Sequence, residues 1–130
     1  MPVTNAGEDY NLNDTCILQI DSPRESVCGP YVVAYHTPPD GERWAIVALD
    51  WNGGRALGSR WFWGPKGHPN SAGYSTWFII PDMLHQPIVE KLVAEGKLSP
   101  RRGDLLRSFL DGAIEGDGGP GSLRQCWNNP

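Results

Sequence analysis

RWAIVALDWNGG, residues 43–54, is the stretch whose reading decides the fold. From Trp44 to Leu49 every side chain is apolar, so a strand here is apolar on both faces. Such a strand belongs at the centre of a sheet, covered on both sides. Asn52-Gly53-Gly54 follows directly, and Asn-Gly tolerates the positive φ angles of a type I′ turn. The returning strand is expected at Ser59 to Gly64 (SRWFWG), with Trp61 and Trp63 on one face and Phe62 on the other. The intervening residues Arg55 to Gly58 imply a longer or bulged hairpin.

Upstream, Tyr31 to His36 is β-branched and aromatic and reads as a strand that ends at Thr37-Pro38-Pro39-Asp40-Gly41. Cys16 to Ile20 is a shorter strand candidate, closed by the turn formers Asp21 to Ser26. Downstream, Pro65 to Gly73 is a loop, and Ser75 to Ile80 (STWFII) is a fifth strand. It would place Trp77 and Ile79 on one face, and Phe78 and Ile80 on the other.

The period then changes. Ile88, Val89, Leu92 and Val93 recur as a helical stripe, with Pro87 in the first turn and Gly96 as the stop. Ser99-Pro100 opens a second helix whose buried stripe is Leu105, Leu106, Phe109, Leu110 and Ala113. Gly116 to Gly121 ends it. The expectation is an α+β fold: a mainly antiparallel sheet of about five strands, then two C-terminal helices packed on one sheet face. Residues 1–130 read as a single domain, with a polar N-terminal arm over 1–14 and a Gly/Pro-rich C-terminal tail over 116–130.

Formal charge is −4, and the 11 Lys and Arg are scattered rather than gathered in a stripe. That excludes nucleic acid as a partner, because a duplex binder gains its affinity from a basic face. The start of the chain has no basic and apolar segments in the order of a signal peptide, and no apolar run approaches the ~20 residues that span a bilayer. No membrane association and a cytoplasmic location are therefore expected. Cys16, Cys28 and Cys126 are odd in number and lack C-x-x-C spacing, which reads as reduced thiols; a Cys16–Cys28 bridge requires the first two strands to pair.

Five of the six tryptophans (Trp44, Trp51, Trp61, Trp63 and Trp77) crowd the middle of the chain, and Trp127 stands near its end. Such a cluster builds either an aromatic core or a surface that grips something. Arg43, Arg55 and Arg60 neighbour these rings, and a guanidinium over an indole is a common cation–π pair. Two helices cover one sheet face, yet three strands are apolar on both. A homodimer, a protein partner or a small molecule is then required on the second face, and self-association is the commonest solution. The candidate binding residues are Trp44, Trp61, Trp63, Trp77, Arg43, Arg60 and His68, taking an apolar or cationic small molecule or a protein.

No metal or cofactor is expected, since H-E-x-x-H, H-x-H and the phosphate loop G-x-x-x-x-G-K-[ST] are all missing. The alternative is a small enzyme in which His68, His36 or Asp50 acts as acid or base in a Trp-lined pocket. A third reading is an inhibitor or immunity-type protein with acidic charge on one face. In outline the layout (small, acidic, free of motifs, strands before helices) resembles that of orphan products of phages and mobile gene cassettes.

Overall fold

A computed structural model describes residues 12–64 and 66–129. The run Trp44–Trp51 forms β2 and lies inside an antiparallel sheet between β1 (Val27–His36) and β3 (Gly54–Trp61). Strands β4 (Asn70–Ser71) and β5 (Tyr74–Ser75) pair apart from this sheet, and β6 (Phe78–Ile79) completes it in the order β1-β2-β3-β6. Helix α1 (Asp14–Ile17) precedes the sheet; α2 (His85–Ala94), α3 (Pro100–Leu110) and α4 (Leu123–Trp127) follow it. The fold is α+β, as its pattern of strands before helices implies.

Alternation along β2 divides the core in two. Ile46 and Ala48 face the helices with Leu57, Val89, Leu106 and Phe109. Ala45, Val47 and Leu49 face the other way with Leu12, Ile17, Phe62 and Trp77. Ala45, Val47, Ala48 and Leu49 are fully buried, the signature of a central strand.

The second face corrects two expectations. It is covered by the chain itself, so the premise of the dimer, an open apolar face, is removed. Its cover includes the segment expected as a strand at Cys16 to Ile20, which instead turns into α1. Asn13 caps that turn by accepting the Cys16 amide at 3.0 Å, which favours helix over strand. Ile17 and Ile20, three apart, then lie on one side and reach the sheet with Leu12. Trp77 locks the segment down: it is 4% exposed, and its indole N–H donates to the Ile20 carbonyl at 2.7 Å. Gly58 makes room for it, since a Cβ there would stand 3.1 Å from the Trp77 Cβ.

The hairpin is tighter than expected. Trp51 pairs with Gly54, and Asn52 (φ 50°) and Gly53 (φ 83°) both take the positive φ of a type I′ turn. The strand therefore begins at Gly54 rather than Ser59; Gly54, Arg55 and Gly58 had masked it. The expected strand Ser75 to Ile80 is divided. Phe78–Ile79 pairs with β3, Tyr74–Ser75 belongs to the small hairpin, and Thr76-Trp77 crosses between them.

Of the polar arm expected over residues 1–14, residues 1–11 lie outside the described residues, while Leu12 is buried and Asn13 and Asp14 open α1. The C-terminal tail is docked rather than loose. Leu123 and Trp127 are core, Arg102 sits 4.6 Å over the Trp127 ring, and Arg124 donates to the carbonyls of Pro30 and Tyr31. All three cysteines are free thiols. Among the described residues no helix is long and apolar enough to cross a membrane.

Trp77→Ala is expected to lower the unfolding free energy by about 3–5 kcal/mol in urea titrations. Trp77→Phe, which keeps a ring but loses the Ile20 bond, should cost about 1–3 kcal/mol. Equal stability of wild type and Trp77→Ala would mean that Trp77 does not seal the second face.

Candidate functional site

The tight turn fixes which side chains stand side by side. On the helix-facing side Trp44 lies opposite Trp61, which bridges to His68. Two residues along, Ile46 lies opposite Ser59, which lies opposite Phe78. Ser59 is the one small side chain in this lattice. Its neighbours across the strands are Ile46 and Phe78, and along β3 they are Leu57 and Trp61. A small residue ringed by large ones leaves a hollow.

The helix layer meets it on one side only. Leu84 and Ile88, at the start of α2, form one wall, and Pro69 and the Trp44–Trp61 pair form the other. The result is an open cleft of about 640 Å³. Trp61 is 46% exposed and Phe78 58%, which is unusual for such large apolar groups. Trp44 is held from behind: its ring meets Tyr35 edge-on at 5.5 Å, and its N–H donates to Glu42 at 3.2 Å.

The candidate residues separate into groups. Trp44, Trp61 and His68 come together at the cleft. Arg60 contributes only its place in β3, because alternation sends its side chain to the opposite face. There it is 2% exposed and donates to the carbonyls of Pro69 (3.0 Å), Thr76 (2.5 Å) and Lys66, bracing the loop that carries His68. Trp77 is on that same far face. Arg43 is buried at the hairpin's open end, donating to Phe62 and Pro39 carbonyls at 3.1 and 2.9 Å. Its guanidinium lies 5.9 Å from the Trp63 ring. Ser59, Phe78, Ile46 and Leu84 are cleft residues that sequence reasoning missed. Counting out from a two-residue turn at Asn52-Gly53 would have paired Ile46 with Ser59, whereas Phe78 comes in with the separate pairing of β6 to β3.

Comparison of the chain with protein-family models, with curated proteins and with solved structures finds no match. The site is therefore interpreted from its geometry.

The acid–base residues do not converge. His36 lies on β1, with Nδ1 2.9 Å from the Thr37 carbonyl and Nε2 3.5 Å from Asp14. Asp50 is six positions along β2 from Trp44, about 20 Å at the rise of a strand. It accepts the Tyr31 hydroxyl at 2.8 Å and pairs with Arg55 at 3.4 Å. His85 is buried, with Nε2 3.2 Å from the Ile80 carbonyl. Among the described residues no two of His36, His68 and Asp50 share a hydrogen-bond or ion-pair partner. Among the described residues no group of three or more His, Cys, Asp or Glu is placed to hold a metal. A second hollow of about 530 Å³ lies beside Arg55 and His85. Its arginine is already engaged by Asp50 and Glu115.

Tyr31 marks the other end of the helix-facing side. Burial raises its hydroxyl well above the ordinary tyrosine range, and the hydrogen bond to Asp50 and that carboxylate's charge add to the shift. A group whose folded value is raised contributes stability that is complete below its unfolded value and is lost as pH rises toward the folded one. Stability should therefore decline above about pH 10, and Tyr31→Phe should flatten that decline. Urea titrations across alkaline pH measure it; an unchanged slope in Tyr31→Phe would refute the Tyr31–Asp50 linkage.

Proposed function

We propose that this chain is a small non-catalytic binding protein whose occupant seats in the cleft around Ser59. The observation that carries the reading is the hollow itself: one serine in a lattice of aromatic and aliphatic side chains, left unfilled by the helix layer. Its volume falls within the range of about 300–1,000 Å³ common to small-molecule sites. Partly exposed Trp61 and Phe78 supply the apolar area that binding would remove from water.

Among the described residues the polar side chains at the cleft are Ser59 and His68, and no carboxylate lines it. That favours an apolar occupant over the cationic one, since a bound cation gains most where a carboxylate or a desolvated aromatic cage faces it. The scattered positions of His36, His68 and Asp50 give no support to the acid–base enzyme. Three free thiols support a reducing compartment such as the cytoplasm.

A neutral solvatochromic dye, Nile red, tests the proposal. Wild-type protein should raise and blue-shift its emission. Ser59→Phe, which fills the hollow, should weaken binding by about tenfold or more, the equivalent of ~1.4 kcal/mol. Far-UV circular dichroism confirms that the variant is folded. Equal dye affinity in wild type and folded Ser59→Phe would refute the cleft as the site.

A further inference from the structure

The same cleft carries information about the shape and polarity of its occupant. Three rings reach it from three strands: Trp44 from β2, Trp61 from β3 and Phe78 from β6. The His68 imidazole, at the end of the Trp44–Trp61 row, adds a fourth. Ile46 lies beside Ser59 on the sheet, and the other aliphatic side chains, Ile80, Leu84 and Ile88, sit toward the start of α2. Aromatic walls of this kind favour a flat π-system, because offset-stacked and edge-on contacts add about 0.5–1.5 kcal/mol per pair beyond the apolar area. A puckered aliphatic ring gains the area term alone.

The two polar side chains add a second constraint. Ser59 stands at the floor and His68 at the rim. Among the described residues neither the Ser59 hydroxyl nor the His68 ring has a hydrogen-bond partner in the protein. A purely apolar occupant covering the Ser59 hydroxyl would strand it away from water, which costs free energy. An occupant with an acceptor or donor on one edge satisfies it. Charge is the third constraint: among the described residues no acidic side chain lines the cleft, and Arg60 points to the far side of the sheet. An ion entering here would lose hydration without meeting a counter-charge.

We infer that the cleft takes a planar, uncharged heteroaromatic molecule. Its rings lie against Trp44, Trp61 and Phe78, and its hydrogen-bonding edge is turned toward Ser59 and His68. The inference rests on the cleft being a binding site, and it narrows the class of ligand.

A matched set of bicyclic probes tests it by displacement of Nile red. Quinoxaline is flat, neutral and carries two acceptors; naphthalene is flat without acceptors; decalin shares the carbon frame but is puckered; N-methylquinolinium is flat and charged. Quinoxaline should displace the dye best. Naphthalene should be about 3- to 10-fold weaker, the loss of one or two neutral hydrogen bonds. Decalin and N-methylquinolinium should each be about tenfold weaker or more. Ser59→Ala should narrow the gap between quinoxaline and naphthalene, whereas general damage to the cleft would weaken both alike and leave the gap.

Dye bound and lost in folded Ser59→Phe, but displaced equally by decalin and quinoxaline, overturns the planar ligand while the binding cleft stands. Preferential displacement by N-methylquinolinium overturns the uncharged ligand. An unchanged gap in Ser59→Ala overturns the hydrogen-bonding edge. Absence of dye binding in wild type removes the cleft and this inference together.

Discussion

Everything in this molecule depends on a turn of two residues. The positive φ of Asn52 and Gly53 commits Trp51 to Gly54 and thereby sets every pair between β2 and β3. Because side chains alternate, a slip of one position would exchange the two faces of β3. Arg60 and Gly58 would then face the helices, and Ser59 and Trp61 would face α1. Neither layer suits that exchange: a Cβ at the place of Gly58 would press on Trp77 at 3.1 Å, and a buried guanidinium needs the loop carbonyls it now holds. The turn, the far-side seal and the cleft are three readings of one register.

The two layers are built by different means. The helix side is conventional, with apolar stripes of α2 and α3 meeting alternate residues of the sheet. The far side is covered mostly by irregular backbone, which is harder to bury because its polar groups need partners. Trp77 answers Ile20, Arg60 answers Pro69, Thr76 and Lys66, and Arg43 answers Phe62 and Pro39. These side chains act as cross-braces for loops. That is why several residues with the composition of a binding hot spot are structural.

The central strand, the turn and the two later helices were legible, because each rests on a local rule: continuous apolar alternation, Asn-Gly, a helical stripe and an Ser-Pro start. The first half of β3 was not. Gly54, Arg55 and Gly58 have poor strand propensity, and only pairing to β2 makes them extended. Residues 16–20 read as a strand because their apolar run is the local signal, and the cap at Asn13 that turns the segment into helix lies outside that run. The cleft was half legible. Its aromatic walls stand out in the sequence, but its cause is a serine, and a serine becomes a cavity only once its neighbours in space are known.

The docked tail has a consequence for synthesis. Arg124 reaches back to Pro30 and Tyr31, and Trp127 belongs to the same core as Val32. Strands β1 to β3 leave the ribosome with their far side soon coverable, since α1 comes first and Trp77 follows shortly after. The helix-facing side waits until α2, α3 and Trp127 have been made. Contacts this distant in sequence form late, and apolar surface exposed in the interval invites association. The nascent chain is therefore most vulnerable until Trp127 has been made, and a stop ahead of Trp127 would leave that side of the sheet without its closing ring.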